Sequence, residues 1–279
     1  MKPFIDRFIV SWQYIPFRIG PVAFTIGPIK VHWYGLMYLA GFLVIYLVVL
    51  FRLRKKEAAF SKDMALDFLS LAMLGALIGG RLGYVLFYDM AYFLENPLKI
   101  FLPFDISGGL HYIGIYGMSY HGGLIGVIVV SILFCRKRDV DFWRFSDLIV
   151  PAIPLGYFFG RIGNFINGEL YGRITNMPWG MYFPLDVTNS LRHPSQIYEA
   201  FFEGIFLFII LWSLRKIGSL KGKLFLLYII GYGLVRFFIE FFREPDSNIG
   251  FILDFFTLGQ IFCLFMILAG SILILRKKE

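Results

Sequence analysis

Residues 224–242 read LFLLYIIGYGLVRFFIEFF, a proline-free run in which Arg236 and Glu240 are the only charged side chains. A transmembrane helix needs about 20 mostly apolar residues, and this run approaches that length. An ionisable group inside such a helix is disfavoured by at least about 2.5–3.5 kcal/mol on insertion scales, so Arg236 and Glu240 each need a partner or a purpose. Outward from this stretch, the segments 33–51, 68–88, 112–135, 148–166, 196–214 and 255–275 have the same apolar character. The expected fold class is therefore all-α: a polytopic membrane protein with about seven transmembrane helices.

Composition agrees with that reading. With 58% apolar and only 16% charged residues, a chain of 279 residues is too hydrophobic to keep its apolar side chains inside a soluble globule. No internal repeat, low-complexity tract or flexible linker divides it, so residues 1–279 read as a single integral membrane domain. Its elaborations fall at 89–111, where Pro97, Pro103 and Gly108-Gly109 mark turns, and at 167–195, a loop-rich stretch expected to form a small extracytoplasmic cap. The first apolar run begins only after Asp6, Arg7, Arg18 and Lys30, unlike a cleavable secretion signal, so the N-terminus is expected to be retained.

A net charge of +8 would suggest nucleic acid in a soluble protein, but here the placement of the charges excludes that reading. Basic runs follow the first segment (Arg52, Arg54, Lys55, Lys56, Lys62), the third (Arg136, Lys137, Arg138, Arg144), the fifth (Arg215, Lys216, Lys221, Lys223) and the last (Arg276, Lys277, Lys278). Alternate connections are thus positive, which places them and the C-terminus in the cytoplasm and the N-terminus outside. Lys2, Arg7, Arg18 and Lys30 run against this rule, and the four basic clusters outweigh them.

Intramembrane polar groups carry the functional argument. Arg81 lies in the second segment, His121 opens the apolar half of the third, and Arg161 lies in the fourth three residues before Asn164. In the sixth, Tyr232, Arg236, Glu240 and Arg243 recur at helical spacing and share one face. Under the charge-derived orientation, His121, Arg161, Arg236 and Glu240 all fall toward the outer half of the bilayer, where they could meet around one cavity. Arginine, always charged and able to grip bidentately, suits a phosphate-bearing lipid headgroup. Against this, Arg236 and Glu240 could simply neutralise one another, and Glu199 and Glu203 could balance an arginine elsewhere. Arg81 reads as a structural anchor or a secondary headgroup contact, and the glycines of the second and third segments as points of close helix approach. Cys135 and Cys263 sit in apolar runs away from any His or Cys cluster, and His32, His111 and His193 have no metal-ligand spacing, so neither a metal nor a disulfide is expected.

With these residues in place, the chain resembles the bacterial phosphatidylglycerol–prolipoprotein diacylglyceryl transferase family from Ile29 to about Lys277. The family signature is similar to Gly160-Arg161-Ile162-Gly163-Asn164-Phe165-Ile166-Asn167-Gly168-Glu169-Leu170-Tyr171-Gly172-Arg173. Four further blocks agree in order: His32-Trp33-Tyr34-Gly35, His121-Gly122-Gly123-Leu124, His193-Pro194-Ser195-Gln196-Ile197-Tyr198-Glu199, and Tyr232-Gly233-Leu234-Val235-Arg236-Phe237. Where the family usually reads Gly-Gly-Met-Ser-Phe before the histidine, this chain has Tyr116-Gly117-Met118-Ser119-Tyr120, and the external stretch before it is longer.

The resemblance implies a donor, phosphatidylglycerol, and an acceptor, a prolipoprotein whose signal peptide ends in a lipobox cysteine. Products would be a thioether-linked diacylglyceryl precursor and glycerol 1-phosphate, with membrane lipids as surroundings, no cofactor, and the bacterial inner membrane as the location. Such a reaction needs a thiolate and a stabilised phosphate leaving group. His121 is the candidate base, with a purely orienting role as the alternative. Arg236 is the candidate for leaving-group stabilisation and Arg161 for headgroup binding. Asn164, Glu169, Gly172, Tyr232 and Glu240 complete the expected substrate site, with Tyr34 closing its wall. A transporter is the competing class, but seven crossings give no inverted repeat. A metal-dependent headgroup transferase would need a carboxylate cluster that the apolar segments do not offer.

Overall fold

Each apolar segment becomes a helix because, without water, only intrahelical bonds satisfy the backbone of an isolated crossing. The computed structural model describes residues 11–27, 29–100, 104–105, 111–112, 117–245, 251–252 and 256–277. We label the seven principal helices α1 (Trp33–Arg54), α2 (Lys62–Tyr88), α3 (Tyr120–Lys137), α4 (Phe142–Asn167), α5 (Ser195–Leu214), α6 (Leu224–Ile239) and α7 (Leu258–Arg276). A 3₁₀ turn at Val150–Ala152 interrupts α4, and a π turn at Ala200–Phe206 widens α5.

Six of the seven are long and apolar enough to cross a membrane. The exception is α6, whose 16 residues rise only about 24 Å, short of a hydrocarbon core of about 30 Å. The expected helix over 224–242 ends early because residues beyond Glu240 turn to pair with the cap: the Arg173 N–H donates to the Phe242 carbonyl at 2.9 Å. The third segment also starts later than expected. Gly117 has φ +84°, and the Ser119 hydroxyl accepts from the Gly122 N–H at 3.3 Å, capping α3 at its first turn. The longer external stretch before the histidine, Ile106 to Ile115, lies outside the described residues, apart from the His111–Tyr112 backbone, which pairs antiparallel with Phe104–Asp105.

The helices turn apolar side chains outward, with Phe265 69% and Leu275 82% exposed on α7 and Leu47 and Leu77 half-exposed on α1 and α2. An apolar surface on this scale requires lipid around it. The chain forms two compact units: Met1–Arg52 with Ser146–Glu279, and Leu53–Phe145.

In the Leu53–Phe145 unit, α2 and α3 pack through glycines. A Cβ on Gly75 would fall 2.9 Å from the Gly126 carbonyl oxygen, and one on Gly83 would fall 2.7 Å from the Gly122 Cα. Side chains would force the backbones apart, so these glycines make the close approach that the sequence suggested. Phe68, Phe134 and Phe145 pack edge-on or tilted at one end. Toward the opposite end of α2, Arg81 is buried and donates to the carbonyls of Ile100 (2.6 Å), Lys99 (2.7 Å) and Gly117 (3.2 Å) while lying over the Phe93 ring.

In the other unit, α4 packs on α5 and α6 on α7. Here too small residues set the spacing: a Cβ on Gly41 of α1 would meet the Gly156 carbonyl of α4 at 3.1 Å, and one on Gly204 would press on Phe158. The loop-rich 167–195 stretch forms a small ordered body held by the Ile174–Arg192 and Met181–Arg192 backbone bridges. Phe165, Met181 and Phe183 are its core. Trp12, Ile15 and Ile19 pack against that core, Tyr14 stacks on Tyr182, and the Trp12 indole donates to the Trp179 carbonyl at 3.0 Å. Residues 11–19 thus belong structurally to the cap. The chain then forms a hairpin, β1 (Val22–Ile26) with β2 (Ile29–His32), that leads into α1.

Candidate active site

The sequence places Arg161, Asn164 and Tyr157 on one face of α4, at i, i+3 and i−4. Across from them α5 presents Glu199 and Glu203, and α6 presents Tyr232, Arg236 and Glu240. These side chains meet in one buried cluster. The Arg161 Nε lies 2.7 Å from Glu199 Oε2, and the Arg236 Nη1 lies 3.0 Å from the same oxygen. Tyr157 donates to that oxygen as well, at 3.3 Å, and its ring lies under the Arg161 guanidinium at 4.7 Å. One carboxylate oxygen therefore fixes two guanidiniums from different helices.

Arg236 is held on its other side too. Its Nη2 pairs with Glu240 Oε2 at 2.9 Å, the i, i+4 pair that the sequence offered as mutual neutralisation, and Glu203 Oε1 approaches Nη1 at 3.6 Å. The other oxygen of Glu240 accepts from the Thr257 hydroxyl at 3.1 Å, which ties the cluster to the capping box of α7. Burial removes water as a competitor: Glu199 and Glu203 have no exposed surface, whereas the Arg161 and Arg236 side chains keep 14% and 10%. The two arginine side chains form the accessible front of the cluster, with Glu199 and Glu203 behind them.

Among the described residues Glu199 Oε1 has no hydrogen-bond partner, and Arg236 Nη1 and Glu240 Oε2 are held by ion pairs rather than by well-angled hydrogen bonds. Each such atom in a protein interior calls for an explanation. The π turn at Ala200–Phe206 lies at this point of α5, and π turns occur frequently at functional sites.

A second layer extends from Arg161 to the signature loop. Arg161 Nη1 donates to Asn164 Oδ1 at 3.2 Å, and Asn164 Nδ2 donates to Glu169 Oε1 at 2.9 Å. Gly168, at φ +71°, ends α4 in a left-handed turn that brings Glu169 back over the helix end. Asn167 donates to the Glu169 carboxylate and Gln196 to its carbonyl, so the loop is pinned from two sides. Gly172 takes part through its backbone: its N–H donates to the His193 carbonyl at 2.8 Å, and a Cβ there would strike the Phe242 carbonyl. Arg173 clamps the end of α6, donating to the carbonyls of Arg243 (2.9 Å) and Glu240 (3.3 Å).

Tyr34 packs its ring against Gly163, 3.0 Å from where a Cβ would stand, and its hydroxyl meets that of Tyr38 at 3.1 Å. Tyr232 stands edge-on to Tyr157. The structure thus groups Tyr34, Arg161, Asn164, Glu169, Gly172, Tyr232, Arg236 and Glu240 in one unit. His121 belongs to the other unit, where it is exposed in the first turn of α3 beside Tyr120. The expectation that Glu199 and Glu203 balance an arginine elsewhere is met by Arg161 and Arg236, whereas the sequence reading missed Tyr157. A carboxylate pair inside an apolar segment is as costly as a lone arginine, and that cost was the available signal.

Outside the spans, the cap holds its own ion-pair network. Arg192 grips Asp186 with two nitrogens, at 2.9 and 3.1 Å, and reaches Glu244 at 3.0 Å. Burial alone would raise the Asp186 carboxyl, but hydrogen bonds from Arg192, Thr188 and Ser190 outweigh it and hold it down at about 2. Burial lowers the His193 imidazole, which meets the Tyr198 hydroxyl at 3.1 Å. Among the described residues, no group of three or more His, Cys, Asp or Glu is arranged to hold a metal ion.

Comparison with known proteins adds independent findings. The family model for prolipoprotein diacylglyceryl transferase matches residues 21–276. A phosphatidylglycerol–prolipoprotein diacylglyceryl transferase of Chlorobaculum tepidum is 51% identical over 98% of this chain and 94% of its own length. Proteins of the same name from Campylobacter jejuni (44% identical over 96% of this chain and 97% of the relative) and Pseudoalteromonas translucida (45% identical over 94% of each) are similar throughout.

Proposed function

The chain belongs to the prolipoprotein diacylglyceryl transferase family, and from this membership we propose that it moves the diacylglyceryl group of phosphatidylglycerol onto the lipobox cysteine of a prolipoprotein. The thiolate attacks the glyceryl carbon that bears the phosphate ester. A C–S bond forms, the C–O bond breaks, and its electron pair leaves on glycerol 1-phosphate. The proton of the thiol goes to a base. Because the family match spans both compact units, we take them as parts of one membrane transferase domain.

The observation that carries this reading is the pair of guanidiniums fixed by one buried oxygen of Glu199. A departing phosphate gains negative charge, and cations already positioned in a dry site stabilise that charge without reorganising. Arg161, held at Nε and Nη1, keeps its Nη2 for the headgroup. Arg236 faces the same front and supports the leaving phosphate, while Glu240 orients its fork. Asn164, Glu169 and Tyr232 orient the headgroup or the arginines, Gly172 shapes the loop through its backbone, and Tyr34 forms wall. His121 is the proposed base for the thiol.

The deciding experiment presents purified protein in phosphatidylglycerol vesicles with a lipobox peptide. We expect the peptide to gain the mass of one diacylglyceryl group and glycerol 1-phosphate to appear in equal amount, with neither product from a peptide whose cysteine is replaced by serine. Absence of both products with the cysteine peptide would refute the reading. The basic clusters support a bacterial inner-membrane location with the N-terminus outside and the C-terminus cytoplasmic. In a cysteine-free background, single cysteines within 167–195 should then react with an impermeant reagent on intact cells, and those within 215–223 should not. The reverse pattern would invert the orientation.

A further inference from the structure

Two guanidiniums that grip a phosphate well enough to assist its departure also risk holding the product. Glycerol 1-phosphate is a phosphate monoester and carries about −1.5 to −2 charges near neutral pH, more than the phosphodiester from which it came. The charges behind the arginines bear on this problem. Glu203 is fully buried on the π turn of α5, with Arg236 Nη1 at 3.6 Å. It is too far from that nitrogen for a good hydrogen bond and close enough to act on its charge. Glu199 and Glu240 already hold Arg236 in place at 3.0 and 2.9 Å. A third carboxylate is therefore unnecessary for orienting the guanidinium.

We propose that Glu203, in its ionised form, tunes the site by acting through Arg236: its negative charge, buried beside the guanidinium, weakens the hold on the phosphate product and speeds its release. It is a positioning residue in the electrostatic sense and touches neither substrate nor product. The inference rests on the functional reading above, in which the product is a phosphate monoester. Removing the charge should strengthen the grip on any phosphate at the front, and on the more highly charged product most. Across a guanidinium, about 6–8 Å, one unit charge facing a dianion is worth roughly five- to tenfold in affinity even at the dielectric of bulk water, and more at a lower one.

The test is product inhibition. For Glu203→Gln, the inhibition constant of added glycerol 1-phosphate should fall about tenfold, KM for phosphatidylglycerol should fall by a smaller factor, and kcat should fall as release becomes limiting. Glu203→Met, which removes the charge with an apolar side chain of similar size, should act in the same direction and covers the case in which the glutamine variant does not fold. Glu203→Asp, which keeps the charge, should stay near wild type in the inhibition constant. A role confined to folding or packing predicts the opposite sign, with weaker product binding and a raised KM. Wild type that turns over normally, with unchanged or weaker product inhibition in the glutamine and methionine variants, overturns this inference alone. Wild type that makes no product overturns the functional reading and this inference with it.

Discussion

Arg81 and Arg236 are both buried in apolar helices, yet their surroundings differ in kind. Arg81 directs Nε, Nη1 and Nη2 at the backbone carbonyls of Ile100, Gly117 and Lys99, neutral acceptors that the fold supplies when the chain leaves α2. Arg236 faces the carboxylates of Glu199, Glu203 and Glu240, at 3.0, 3.6 and 2.9 Å. The first arrangement satisfies its donors and closes a helix end. The second gathers two arginines and three carboxylates in one buried cluster, an arrangement that folding alone does not call for. Burial of an arginine is therefore a weak guide to function, and the nature of its acceptors is a strong one.

The sharpest way to break this comparison is to replace each arginine by lysine. Lysine keeps the charge but loses the planar fork. Arg161→Lys and Arg236→Lys should each lower glycerol phosphate release by about 10²–10³ at normal expression, the usual loss when an oxyanion-stabilising donor is removed. Arg81→Lys should leave turnover within a few-fold of wild type and instead destabilise the Leu53–Phe145 unit by about 1–3 kcal/mol, read by thermal unfolding, because carbonyls are left unmatched. If Arg81→Lys abolishes turnover in a folded protein while Arg236→Lys spares it, the distinction between the two environments fails.

His121 tests whether chemistry is confined to the unit that holds the arginines. If it is the base, its deprotonation governs the low-pH limb of the rate, and His121→Gln should remove that limb with a loss of about 10² in activity. The measurement is a pH profile of glycerol phosphate release at saturating phosphatidylglycerol. A glutamine variant with substantial activity and an unshifted profile would leave the histidine an orienting role and the arginines as the chemical centre.

Much of this was legible in the sequence because membrane burial makes polarity expensive and therefore informative. The seven apolar runs, Arg161 with Asn164, Arg236 with Glu240 and the glycine contacts of α2 and α3 all follow from residue type and helical spacing. The meeting of Arg236 with Glu199 and Glu203 does not, since it joins α5 and α6 across a separation that local periodicity cannot report. The π turn was hidden for a related reason: rules of spacing assume 3.6 residues per turn, and α5 departs from that where its carboxylates matter. The short α6 and the late start of α3 depended on Phe242 and Ser119 bonding outside the helical pattern. Trp12, Ile15 and Ile19 precede the first crossing with no local pattern that says where they pack, and only their contacts with Phe165, Met181 and Phe183 reveal them as part of the cap.

The cap gives the smallest expected effect and a third environment for a buried arginine. Arg192 faces carboxylates, as Arg236 does, but it meets Asp186 with two well-formed hydrogen bonds, and neither partner is left with an unmatched atom. On the argument above it should be structural, with a signature in stability rather than turnover. The Asp186 carboxyl stands at about 2 in the folded protein, below its ordinary value near 3.8. A carboxyl lowered by folding contributes stability that is complete above its unfolded value and is lost as pH falls through the folded one. The cap should therefore resist proteolysis within residues 167–195 equally well from pH 7 down to about 5, then lose about 1–2 kcal/mol of local stability between roughly pH 4 and pH 2. Asp186→Asn should be weaker at neutral pH and lack that acid-dependent step, while turnover at pH 7 and moderate temperature stays within a few-fold of wild type. If the asparagine variant instead keeps a fully stable cap and loses turnover, Arg192 would join Arg161 and Arg236 among the functional arginines, and well-matched hydrogen bonds would no longer identify a structural one.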